Sequence, residues 1–167
     1  MAQVPRRSER TGSPRTLAWI ILPIALVAGL GSLITRSNIP IWYASLEKPT
    51  GTPPDWIFGP VWTVLYVLMA YALWRILSGA PRITQRRWAI KAFFVQLALN
   101  LCWSVVFFGL HSPFSGWLVI LALLAAILVT IGLFWGLDKV SAYALIPYAL
   151  WVGYATFLNA GIWWLNS

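Results

Sequence analysis

Apolar residues in this chain fall in long blocks, with polar residues gathered between them. The blocks span residues 17–36, 57–78, 86–108, 114–135 and 141–164. Each is about 20 residues long, the length a helix rising about 1.5 Å per residue needs to cross a bilayer core of roughly 30 Å. Hydrocarbon offers no partner to an open strand edge, so every block predicts a helix. The pattern predicts an all-α integral membrane bundle of five transmembrane helices, forming one domain over residues 17–165. Residues 1–16 are polar, with Arg6, Arg7, Arg10 and Arg15, and predict a disordered basic tail. The apolar run after Thr16 is long for a cleaved signal core and is taken as the first span. The connection 37–56 is the longest and the only one rich in Pro, Gly and Trp, which predicts a packed lid.

Within the blocks, polar and small positions mark faces. In the first span Ala25 and Gly29 are four apart, as are Ala28 and Ser32, a face that predicts close helix approach. Pro23 is a candidate kink. In the fourth span Ala122, Ala126 and Thr130 repeat the spacing and offer a packing or dimer face.

Composition agrees with the block pattern. The chain is 60% hydrophobic and 10% charged, against roughly 25% charged in an average soluble domain. That is too little polar surface to coat a water-soluble globule. The net charge of +8 would suit nucleic acid, but its placement argues against that partner. With five crossings, one face holds Arg6, Arg7, Arg10, Arg15, Arg75, Arg82, Arg86, Arg87, Lys91 and Lys139, and the other only Arg36 and Lys48. This is the positive-inside asymmetry, which predicts a cytoplasmic N-terminus, an outside C-terminus and contact with membrane lipid. Helical rather than barrel spans predict the inner membrane.

The chain has 12 Trp. Most lie at span ends, as interfacial anchors do. Trp62, Trp103 and Trp151 lie deep, and helical spacing extends each into a stripe. Phe58, Trp62, Tyr66 and Met69 share one face; Gln96, Asn100, Trp103 and Phe107 share a second; Tyr148, Trp151, Ala155 and Asn159 share a third. If the stripes converge they enclose an aromatic chamber beneath the lid. A packed aromatic core and a ligand chamber both satisfy this pattern. Gln96, Asn100 and Asn159 place amides inside the membrane, where polar groups face the interior. Helix-to-helix hydrogen bonding and ligand recognition both account for them.

Signals for catalysis are sparse. The acidic residues Glu9, Glu47, Asp55 and Asp138 all lie in the tail or in loops, and the one His, His111, lies in a turn. No paired carboxylates lie in a span, and no nucleophile–base pair is visible. Cys102 is the single Cys, so no intramolecular disulfide forms. As a lone thiol in a span it reads as a small hydrophobe rather than an iron ligand.

The stretch WYASLEKPTGTPPDWIFGPVWTVLYVLMAYALW, beginning at Trp42, resembles the signature of the translocator protein / tryptophan-rich sensory protein (TspO/MBR) family. NLCWSVVFF in the third span and IPYALWVGYATFLN in the fifth resemble its two other recurrent blocks. The resemblance implies a five-helix bundle, often a homodimer, that binds porphyrins and related tetrapyrroles, sterols and flat synthetic ligands. It implies no required cofactor; porphyrin or haem would be a ligand. Its pocket positions fall on Tyr43, Pro53, Pro54, Trp62, Tyr66, Asn100, Trp103, Trp151, Ala155 and Leu158. The cholesterol pattern of animal members is missing, because no Lys or Arg follows Tyr154 through Ser167. The expected function is binding of porphyrin-type ligands as a sensor, regulator or transporter. The alternatives are an enzyme degrading porphyrin photo-oxidatively through Trp62 and Trp151, and a scaffold acting through the small-residue faces.

Overall fold

A computed structural model describes residues 14–79 and 83–167. Five helices cross: α1 (Pro14–Asn38), α2 (Phe58–Ser78), α3 (Ile83–Ser104), α4 (Pro113–Trp135) and α5 (Lys139–Leu165). All are long and apolar enough to span a membrane. Most of the tail expected to be disordered, and part of the connection between α2 and α3, lie outside the described residues. Neighbour contacts place the helices around a ring in the order α1, α2, α5, α4, α3.

The surface chemistry is that of a protein solvated by lipid. Leu22 is 67% exposed, Val67 63% and Leu150 70%. In water such a coat would drive aggregation; in hydrocarbon it is the matched solvent face. The interior is filled by Met69, Phe93, Leu123, Phe134 and Tyr148, all fully buried. It also holds the three amides Gln96, Asn100 and Asn159.

The span boundaries differ from expectation at one place that matters. The connection expected over 37–56 is helical for much of its length. α1 runs to Asn38 and continues as a π-helical turn, Ile39–Tyr43, so the first apolar helix reaches Tyr43. Pro40 has no N–H to give, which disturbs the ordinary α ladder, and the wider turn carries the chain past it. Burial of Tyr43, with Trp42 edge-on to Phe107 at 5.3 Å, rewards the continuation. α3 ends in a similar π turn, Val105–Gly109. Pro23 lies inside α1, whose α-helical range continues on both sides of it.

Two clamps close the ends of the bundle. At the basic end, Arg75 Nε and Nη2 donate to the two oxygens of Asp138 at 2.7 and 3.0 Å. Asp138 also caps α5 by accepting from Ser141 N–H at 3.0 Å and from the Ser141 hydroxyl. It lies between spans, and the Arg75 guanidinium, helped by Ser141, holds its carboxyl well below the usual carboxylate range. At the opposite end the short strap left between Tyr43 and Asp55 is tied to α5. Glu47 N–H donates to Asn166 Oδ1 at 3.0 Å, and Asn166 Nδ2 returns a bond to the Glu47 carbonyl at 2.9 Å. The Tyr154 hydroxyl donates to the Gly51 carbonyl. Pro49 seats directly on Gly161, where a Cβ would lie 2.8 Å from Pro49 Cγ.

Candidate functional site

Below the strap, α2, α3 and α5 meet through hydrogen bonds rather than around open space. Tyr66 donates to Asn100 Oδ1 at 2.8 Å, and Asn100 Nδ2 donates to the Tyr148 hydroxyl at 3.2 Å. Trp103 Nε1 donates to Asn159 Oδ1 at 3.1 Å, and Asn159 Nδ2 donates to the Pro113 carbonyl at 2.8 Å. The amides therefore bridge helices. Gln96 bridges α3 to α2 on one side only. Its Nε2 lies 3.9 Å from Met69 Sδ, and its buried Oε1 has no partner among the described residues.

The open space lies to one side, between α1, α2 and α3. It is a cavity of about 630 Å³, within the range of roughly 300–1,000 Å³ typical of small-molecule sites. Phe58, Trp62 and Tyr66 from α2, with Trp103 and Phe108 from the α3 end, give it aromatic walls. Trp62 tilts against Tyr66 at 5.6 Å and meets Tyr148 edge-on at 6.1 Å. Trp103 stacks on Phe107 at 5.5 Å and meets Phe108 edge-on at 5.7 Å. Such pairs add about 0.5–1.5 kcal/mol each beyond burial and hold the rings in place. Ala28, Gly31, Ser32 and Thr35 of α1 form the third wall, and Arg36 and Asp55 also line the cavity.

The small-residue face of α1 thus works differently from expectation. Of the two glycines of α1, Gly31 makes a close approach, with a Cβ position 3.4 Å from Ser104 Oγ, and Gly29 has nothing within 4 Å. Ala28 and Ser32 border the cavity. Small side chains here leave space that larger ones would fill.

A family model described as the TspO/MBR family matches residues 19–165, nearly the whole described bundle. The chain belongs to the TspO/MBR family. It is 40% identical over 148 residues to the tryptophan-rich protein TspO of Archaeoglobus fulgidus, covering 88% of this chain and 94% of that one. It is 38% identical over 153 residues to the tryptophan-rich protein TspO of Chlorobaculum tepidum, covering 87% and 97%. It is 36% identical over 129 residues to the human translocator protein, covering 73% of each. Family and apolar helices together make it a multi-pass membrane protein.

The expected site residues of this TspO/MBR chain occupy several environments. Phe58, Trp62, Tyr66 and Trp103 line the cavity. Asn100, Phe107 and Tyr148 lie buried directly behind them, in hydrogen-bond or ring contact with those walls. Gln96, Ala155 and Leu158 are buried in the bundle. Tyr43 is buried under the strap, edge-on to Phe58 at 6.4 Å, with Lys48 Nζ 4.7 Å from its ring centroid. Pro53 and Pro54 lead from the strap into the turn at Asp55, whose Ile57 N–H bonds the Pro54 carbonyl at 3.0 Å. Trp151 lies apart. It meets Phe58 edge-on at 6.0 Å and lines a shallow apolar groove between α2 and α5 with Val64, Leu150 and Tyr154. Cys102, read as a small buried hydrophobe, is exposed, because α3 turns that position outward.

Sequence reasoning missed the α1 wall, Ser104 and Asp55. The signal was present as small residues at 28, 31, 32 and 35, which fall on one helical face. Small residues at that spacing serve close packing and open space equally.

Proposed function

We propose that this protein binds flat, hydrophobic, porphyrin- or tetrapyrrole-type ligands in the cavity between α1, α2 and α3, as a sensor, regulator or transporter of tetrapyrroles. The observation that carries the reading is the cavity itself: about 630 Å³, walled by Trp62, Trp103, Tyr66 and Phe108, inside a membrane bundle. A large planar ring gains most from such walls, because stacking and edge contacts need rigid aromatic partners. The names of relatives, a tryptophan-rich sensory protein of Cereibacter sphaeroides and translocator proteins of mammals, support a sensing or transporting role. Clustering of Arg75, Arg86, Arg87, Lys91 and Lys139 at one end of the bundle supports an inner-membrane protein with a cytoplasmic N-terminus.

The test is quenching of tryptophan fluorescence by protoporphyrin IX in nanodiscs. Trp62→Ala removes a cavity wall and is expected to weaken binding about tenfold or more, the scale of one lost aromatic wall. Trp151→Ala removes a ring outside the cavity and is expected to change affinity less than about threefold. Equal loss in both variants, or loss only at Trp151, would move the ligand elsewhere.

A further inference from the structure

Among the described residues, the cavity wall carries one basic side chain, Arg36, in the last turn of α1. Its guanidinium has no hydrogen bond and no ion pair among the described residues. Two of the wall hydroxyls are committed within their own helices. Thr63 Oγ1 donates to the Gly59 carbonyl at 2.9 Å, and Ser104 Oγ to the Asn100 carbonyl at 3.5 Å. Lys48, the other basic residue at this end, is held over the Tyr43 ring and does not line the cavity. Asp55 is the one acidic group on the wall among the described residues. It disfavours a second anion on its own side.

We infer that Arg36 is the residue that selects ligands bearing a carboxylate, and that it sets their orientation. This rests on the cavity being the ligand site. The apolar part of the ligand would lie between Trp62 and Trp103, deep in the span. The acid would sit at the strap end, where Arg36 reaches water. Three physical facts converge. A guanidinium presents parallel N–H donors that match both oxygens of a carboxylate. A cation at the end of a span keeps its head near the interface while its stem lies along apolar surface. A fork with no partner among the described residues breaks no ion pair with them when an acid arrives. A neutral ligand of the same shape gains the aromatic contacts but leaves the fork unused.

The experiment compares protoporphyrin IX with its dimethyl ester, which keeps the ring and removes both acids. Affinities are read by tryptophan quenching in nanodiscs of neutral lipid, for the full chain and for Arg36→Gln, Arg36→Lys and Lys48→Gln. The unaltered protein is expected to prefer the acid by about tenfold, the scale of one charge-assisted pair near a surface. Arg36→Gln is expected to abolish that preference, with acid affinity falling about tenfold further than ester affinity. Arg36→Lys keeps the charge without the fork and should retain part of the preference. Lys48→Gln should keep all of it. An unchanged acid-to-ester ratio in Arg36→Gln, with ester binding intact, overturns the role of Arg36 and leaves the cavity reading standing. If neither compound binds the unaltered protein, the cavity reading fails and this inference falls with it.

Discussion

Asn159 is the place where one side chain ties α5 both to a cavity wall and to the start of α4. It is buried on α5, accepts the indole proton of Trp103 on α3 at 3.1 Å, and donates to the Pro113 carbonyl at the start of α4 at 2.8 Å. Asn159→Ala removes both bonds and adds no atom against Gly116, whose Cβ position is 3.3 Å from Asn159 Oδ1. Two scales compete for the cost. In a water-soluble core, each orphaned donor or acceptor costs about 1–3 kcal/mol. Between membrane helices the measured average is about 0.6 kcal/mol per bond, with a maximum near 1.7, because the dissociated helices find other partners in lipid. The second scale governs, since Trp103, Pro113 and Asn159 belong to spans or their ends. Two bonds then sum to about 1–3 kcal/mol, or roughly 2–12 °C in melting temperature for a chain of this size. The assay is thermal unfolding in detergent, with Thr156→Val as comparator. Thr156 donates only to the Val152 carbonyl of its own helix at 2.7 Å, so its loss orphans no partner on another helix. The comparator is expected to shift by less than about 1 °C. Asn159→Ala should also weaken protoporphyrin quenching, because Trp103 loses the bond that orients its indole as a cavity wall. Melting of Asn159→Ala within about 1 °C of the unaltered protein would refute the reasoning. The indole and the carbonyl would then be satisfied without this amide.

Other outcomes follow from the two clamps. Asp138 has its carboxyl depressed by Arg75 and Ser141, so its folded pKa lies below its unfolded value near 3.9. Its contribution is complete above about pH 4 and is lost as pH falls toward the folded value. Melting at pH 3 against pH 7 should therefore fall further in the unaltered protein than in Asp138→Asn; solvent exposure of the pair limits the difference to about 1 kcal/mol. Gly161→Ala places a methyl 2.8 Å from Pro49 Cγ and should lift the strap, seen as faster hydrogen exchange over residues 46–54 with the spans unchanged. Protection identical to the unaltered protein would mean that Pro49 is not held there.

The legible part of this protein is the part governed by solvent. Lipid forbids unpaired backbone and tolerates apolar surface, so block length and hydropathy predict the spans with little competition. Family motifs were equally legible, because they lie on three separate helices and match as a set. The failures share a cause. At 37–56 composition predicted a packed lid without helix, yet Trp42 and Tyr43 find aromatic partners on the far end of α3, and that tertiary contact carries the helix on to Tyr43. At Ala28 and Ser32 small residues suggested contact, and they border the cavity instead.

Residue order alone determined that five apolar helices cross a membrane, that one end is basic, and that indole rings and amides lie at depth. Periodicity assigns each side chain to a face of its own helix. It carries no information about which face of another helix comes opposite, because helix rotation and spacing depend on how all the side chains interlock. Only the assembled bundle decided that the amides spend their hydrogen bonds between helices. Only the bundle put Trp151 outside the space that Trp62 and Trp103 share, and brought Arg36 to its wall.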